Sequence, residues 1–353
     1  MKRLSLDPTQ ERPATRDDSS NQPTTSFPPP KATKVSTGEK TDGSIYFIGN
    51  ATVLLGWQGI RIMTDPNFLH AGDHVHLGPG VTATRVKNPA VDLHELPRVD
   101  AVLLSHYHED HFDRLVEDSL RRDLPIISTP HAHHHLAEAK PGGEAFTSVY
   151  PLDFFESLFI DFKNQSAASG AKQPLIKVTG MPGKHVPPGP AHILSAANEL
   201  LGMVPPTNGW MVELGYASGP AVAHEANFFC GYRIYISGDT LLVDELKEIP
   251  ERYKDQKIDL MLVHLGGTSI PSANLPLMMV TMDATQGLQL VQMINPDVTI
   301  PIHFDDYDVF KSPLEDFKNA MEKAGLSDKV VYLDRGDSYR FPVSQNARPV
   351  QQN

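Results

Sequence analysis

One cysteine, Cys230, stands among 353 residues. That excludes an intramolecular disulfide framework and a thiolate metal cluster, so any metal must be held by His and Asp. The lone thiol fits a reducing compartment and is expected to be a small buried apolar residue. Positive charge is also scarce: 31 Lys and Arg face 43 Asp and Glu, for a formal net charge of -12. A protein whose main task is to grip a nucleic-acid backbone needs clustered cations, so no nucleic-acid partner is expected. No stretch approaches the roughly 20 apolar residues that cross a bilayer. Met1–Asp7 begins charged and turns polar before an apolar core can form, so no secretory signal is expected. These absences point to a soluble, cytoplasmic protein acting on a small molecule, with association into a homo-oligomer left open.

What is present divides unevenly. Residues 1–43 are rich in Pro, Ser, Thr and charge and end near Phe27-Pro28-Pro29-Pro30. They offer too little apolar surface to offset ordering entropy, and a disordered tail is expected. Residues 44–342 read as a single domain, and 343–353 as a frayed end. The domain is organised around Ser105-His106-Tyr107-His108-Glu109-Asp110-His111, which packs four potential metal ligands into one turn. The turn follows Asp100–Leu104, an apolar run that reads as a buried strand. Imidazole with carboxylate suits zinc and its first-row neighbours. One metal needs at least three protein ligands, and two need more than this turn can supply. Further ligands are therefore expected at other strand ends.

Reading along the chain, Ser44–Gly49, Thr52–Gly56 and Gly59–Thr64 look like short strands, the last ending at Asp65-Pro66. Residues 67–99 are loop-rich, and their His70, His74, His76 and His94 read as solvated. Helical spacing over Phe112–Arg122 precedes a strand at Leu124–Ser128 and an exposed helical turn holding His131, His133, His134 and His135. Strands at 158–162 and 175–179 lead into a Gly/Pro loop carrying His185. A short helix is expected over 193–203. The strand ending at Ile236 runs into Ser237-Gly238-Asp239, and the strand at 259–264 ends in His264. A helix is expected over 275–294, then a strand ending in His303, a helix over 313–324 and a final strand over 329–333.

His185, Asp239 and His303 thus stand where extra ligands are required. One metal would take His106, His108 and His185, the other Asp110, His111 and His303, with Asp239 between them. Two divalent ions roughly 3.5–4 Å apart can share a water, lower its pKa from about 15.7 towards 7 and polarise the bond under attack. A metal-bridging hydroxide would then be the nucleophile, with no Ser or Cys nucleophile needed. Asp110 could steer it or hand a proton to the leaving group. Asp65 is expected to orient a ligand imidazole from behind, while Tyr107, Phe304, Tyr307 and His264 are candidate pocket residues.

With His106, His108, Asp110 and His111 forming His-x-His-x-Asp-His, and with His185, Asp239 and His303 following, the chain resembles the metallo-β-lactamase fold superfamily. Gly49–Thr52, Thr64–Pro66 and Leu96–His106 look like the branch containing L-ascorbate-6-phosphate lactonase and N-acyl-phosphatidylethanolamine phospholipase D. Asn50 stands where that branch often carries His. The resemblance implies an α/β fold, a four-layer αββα sandwich, two divalent metal ions (zinc, or manganese) and hydrolytic activity. The leading expectation is a binuclear metal-dependent hydrolase, lactonase- or lactamase-like, that opens a small lactone, lactam or related carboxyl derivative. A phosphodiesterase acting on a phospholipid or cyclic nucleotide is the alternative, and it should show basic residues near the ligands, where Arg85, Lys87 and Lys184 are the only ones in sequence. A non-catalytic metal-binding protein is a third reading, disfavoured because none of the seven ligand positions is lost. Nuclease activity is disfavoured by the acidic balance.

Overall fold

The computed structural model describes residues 2–16, 29–36, 41–78, 81–138, 143–163, 172–186, 204–217, 227–271 and 276–346. Two sheets face each other. In spatial order the first contains β1 (Lys2–Leu6), β11 (Ser157–Phe162), β12 (Gln173–Met181), β13 (Gly209–Ala217), β14 (Phe228–Ile236), β15 (Leu260–His264) and β18 (Val298–Ile302). The second contains β10 (Val149–Pro151), β9 (Ile126–Ser128), β8 (Ala101–Leu103), β5 (Ile60–Thr64), β4 (Thr52–Trp57), β3 (Gly43–Gly49), β19 (Ser338–Phe341) and β2 (Thr33–Val35). Two hairpins, β6 (His74–His76) with β7 (Thr82–Thr84) and β16 (Ser269–Pro271) with β17 (Pro276–Met279), complete the strands.

The side-chain period of two explains the layers. Along β3, Ile45 and Phe47 enter the core between the sheets, while Tyr46 and Ile48 enter a second core outside. That second core lies under α1 (Arg114–Ser119) and α2 (Pro130–Ala137), which contribute Val116, Ala132 and Leu136. On the other sheet, Leu260 and Leu262 of β15 point inward, and Met261 and Val263 meet α3 (Glu248–Arg252), α4 (Ala284–Ile294) and α5 (Leu314–Lys323). Strands covered on both faces read as unbroken apolar runs, which is why Asp100–Leu104 and Asp259–Val263 were legible. The result is the expected αββα sandwich.

Several expectations need correction. Residues 2–6 are not a tail: β1 pairs in parallel with β11, and Leu4 and Leu6 are buried in the central core. Ala14 enters the second core, Thr15 bridges Leu120, and β2 pairs with β19. The early segment supplies few apolar residues, but alternate ones meet a sheet edge built by distant parts of the chain. Residues 17–28 and 37–40 lie outside the described residues, as do 347–353 and the helix expected over 193–203. The helix expected over 275–294 begins only at Ala284, capped by Asp283 accepting from Gln286 N, and β17 takes the earlier residues. The strand expected over 329–333 reduces to one bridge, Thr299 to Val330, and the unforeseen β19 returns the chain to β3. Cys230 is half-buried against Phe159, Leu175, Ala217 and Phe228.

Candidate metal centre

The strands that carry polar ends share one direction. β14, β15 and β18 run parallel, and β12 aligns with them because two antiparallel steps separate it from β14. On the other sheet β5, β8 and β9 are also parallel. Their carboxyl ends therefore deliver Asp65, the His106–His111 turn, His185, Asp239, His264 and His303 to one edge of the sandwich. Gly238 makes the turn before Asp239 at φ +62°, where an added Cβ would stand 2.3 Å from the Asn208 carbonyl oxygen. Asp65 (φ 33°) and His303 (φ 58°) adopt left-handed backbone without being glycine, a strain that packing must hold in place.

The seven residues expected as ligands converge. Ligand atoms of Asp110, His111, Asp239 and His303 lie within 4.8 Å of one another, as do those of His106, His185 and Asp239, and those of His106, His108 and Asp110. All are buried except His108, which is partly exposed. His106 Nε2 and His185 Nε2 face each other at 3.2 Å. Two imidazoles sharing one ion at bond lengths of about 2.0–2.1 Å and a tetrahedral angle hold their nitrogens about 3.3 Å apart.

Hydrogen bonds behind the rings fix which nitrogen points inward. His185 Nδ1 donates to the Val280 carbonyl and His303 Nδ1 to the Leu265 carbonyl, each at 2.9 Å, leaving both Nε2 atoms to face inward. The Ser105 hydroxyl lies 2.9 Å from His106 Nδ1. Asp65 accepts from Ser105 N at 2.7 Å, and its other oxygen lies 3.5 Å from His111 Nδ1. Asp65 is thus placed behind the His111 imidazole. Thr281 Oγ1 donates to Asp239 Oδ2 at 2.9 Å.

Charge is balanced within the cluster. Burial and the neighbouring His111, His185 and His108 hold His106 well below the usual imidazole range. Burial pushes His185 down to about 4. Burial acts the same way on His111 and His303, but Asp239 and Asp110 outweigh it and raise both. Asp110 and Asp239 lie well below the carboxylate range, because the surrounding histidines overcome the cost of burial. The Nε2 atoms of His108, His111 and His303 and Oδ1 of Asp239 are buried without a hydrogen-bond partner. Such orphans are costly unless something else occupies them. A set of imidazole nitrogens and carboxylate oxygens facing inward is the donor set of a divalent transition metal, and the residues fit one.

The four suggested pocket residues fare differently. Tyr107 lines an open cavity of about 510 Å³ together with His108, Phe112, His135 and Phe146. Phe304 packs into the core under α4 and α5, and Tyr307 is buried with its hydroxyl donating to Asn67 Oδ1 at 3.0 Å. His264 is buried behind the cluster, its Nδ1 3.2 Å from Ser237 Oγ and its ring stacked on His111 at 6.1 Å. Asn50 is buried and donates to the Asp110 carbonyl at 2.6 Å. Sequence reasoning missed Thr281 and the Val280 and Leu265 carbonyls. No sequence signal marks a backbone carbonyl as a histidine's partner.

Residues 60–304, a span containing all seven candidate ligands, match the family model described as a beta-lactamase superfamily domain. The chain belongs to this superfamily, in its metallo-β-lactamase fold. A metal-dependent hydrolase of Archaeoglobus fulgidus is 24% identical over 297 residues, covering 84% of this chain and 98% of the relative. Among solved structures, an isothiocyanate hydrolase from Delia radicum gut bacteria superposes with a TM-score of 0.61 at 17% identity, covering 84% of this chain and 98% of that one. A possible metal-dependent hydrolase from Veillonella parvula gives 0.61 at 17% identity, covering 85% and 99%. Among the described residues no helix is long and apolar enough to cross a membrane.

Proposed function

We propose that this chain is a binuclear metal-dependent hydrolase that opens a small lactone, lactam or related carboxyl derivative. The observation that carries the reading is overlap: His106, Asp110 and Asp239 each belong to two of the ligand groups. Shared members are what two adjacent ions require, and they make Asp239 the link between His106/His185 and Asp110/His111/His303. Zinc suits this donor set, with manganese the second choice.

When bound, the ions would supply an acidified water and a polarised target bond. The chain's own part is positional and protonic. Asp110, with Oδ2 3.7 Å from both His111 Nε2 and His303 Nε2, is ionised and can accept a proton before passing it to the leaving group. His185 and His303 are held in one tautomer by the carbonyls behind them. Burial of the cluster excludes competing water and strengthens each electrostatic contact.

The lactonase-like branch is preferred over phosphodiester cleavage for a specific reason. Arg85 is buried and paired with Asp306 at 3.0 Å, and Lys184 pairs with Glu245. Arg85 is thus committed to the fold rather than offered to a phosphate, and of the three basic residues Lys184 is tied in a surface pair while Lys87 is exposed. The test is metal analysis of the purified chain, followed by assay of lactones, lactams and phosphodiesters with zinc and with manganese. Up to two metal equivalents and turnover of the carboxyl derivatives are expected. Hydrolysis of phosphodiesters alone would reverse the preference, and an active metal-free chain would overturn the reading.

A further inference from the structure

Outside the cluster, the histidine run of α2 holds a second arrangement with the geometry of a metal site. His131 and His135 are four residues apart, so a helix stacks them on one face. Their Nε2 atoms lie 3.3 Å apart, with ring planes at 57°. At that separation the two nitrogens are within hydrogen-bond reach of each other, and the same spacing matches the bite of two imidazoles on one tetrahedral ion, about 3.3 Å. It also repeats the 3.2 Å spacing of His106 and His185 in the candidate centre. We infer that His131 and His135 form a separate divalent transition-metal site on α2, taking zinc, nickel or copper through two imidazole nitrogens and water.

The chemistry narrows the ligand. Neutral imidazole binds borderline and softer first-row ions, whereas magnesium and calcium prefer oxygen. No third His, Cys, Asp or Glu ligand atom joins the pair within 4.8 Å among the described residues. Two protein ligands make a weaker, exchangeable site than the buried cluster. His134 points elsewhere, to Glu138 at 2.9 Å, and takes no part.

Its position gives it a consequence. His135 lines the same cavity as His108, and its ring stacks on Tyr107 at 5.1 Å and 7°. Tyr107 sits between two of the candidate ligands in sequence. An ion on α2 therefore occupies the wall of the cavity beside the centre, and excess metal is expected to slow turnover through this site rather than by displacing the ions of the cluster.

The test uses the full chain with the cluster first loaded with zinc, which is silent in electron paramagnetic resonance, and then titrated with copper(II) alone. The wild type should gain about one copper equivalent with coupling to two nitrogens. H131N and H135N should each lose that two-nitrogen signal and bind copper at least tenfold more weakly, whereas H134A should keep it. Both pair members are partly exposed, and circular dichroism would verify that the variants fold. Zinc retained by the cluster after dialysis should be the same in H131N, H135N and wild type, which separates this inference from the proposed centre. A wild type without two-nitrogen copper, or a signal unchanged in H131N and H135N, would overturn it.

Discussion

Thr281 donates to Asp239 at 2.9 Å, while the preceding carbonyl, that of Val280, accepts from His185 at 2.9 Å. Two consecutive residues just past β17 thus orient His185 and the Asp239 that the two ligand groups share. Partners of this kind typically contribute 10–100-fold to metal affinity. Thr281→Val, which keeps the shape and loses the donor, is expected to weaken metal retention by about that factor. Thr281→Ser should restore it. Metal content after dialysis against graded chelator reads both, and equal retention in the valine variant would refute the role.

Removing a ligand should separate chemistry from folding. Asp110→Ala and His106→Ala are expected to abolish turnover while the far-ultraviolet circular dichroism stays close to wild type. The sandwich rests on apolar layers to which neither residue belongs. Full activity in either variant would contradict the site.

Metal uptake should release protons, and the direction of each shift says from where. His111 is raised well above the usual imidazole range and His303 is raised as well, so at these two rings a metal competes with a proton. His185, pushed down to about 4, is already neutral at pH 7 and stays largely so at pH 5. Acidification from pH 7 to 5 should therefore cost affinity through His111 and His303, not through His185. Calorimetry in buffers of different ionisation heat measures the protons, and a heat independent of buffer would count against this assignment.

Arg85 and Asp306 form a buried ion pair, with Asp306 also accepting from Asn50 N at 2.8 Å and from Arg335 at 2.7 Å. Breaking such a pair from one side typically costs about 3–5 kcal/mol. Arg85→Ala should sit near the lower figure, because Arg335 still faces the stranded carboxylate. Urea unfolding midpoints test it, and a change below 1 kcal/mol would show that Arg335 compensates fully.

Deleting residues 2–16 strips β1 from the edge of β11 and removes Leu4 and Leu6 from the central core. Full burial of a leucine is worth roughly 1.5–3 kcal/mol. The truncated chain should melt clearly lower and show a more aggregation-prone edge. An unchanged melting midpoint would mean that the strand adds nothing.

Legibility followed residue type and range. The His106–His111 turn, His185, Asp239 and His303 were readable because strand-end histidines and carboxylates have few other uses at that density. The doubly covered strands were readable as apolar runs. β1 and β19 were not, since each is a short edge or closing segment whose partner lies more than a hundred residues away. Phe304 and Tyr307 were singled out as neighbours of His303 and His264 as a strand end; packing took the first two into core clusters, and burial placed the third behind His111.

By itself the sequence determined the donor chemistry, with seven imidazoles and carboxylates and one cysteine, and the alternation that layers helices over two sheets. Tertiary structure alone decided which nitrogen of each ring faces inward and which residues are shared between ligand groups. The reason is physical. Side-chain type sets what an atom can bind, but the backbone carbonyls, the Thr281 hydroxyl and the neighbouring rings that orient it arrive only when distant strands close against one another.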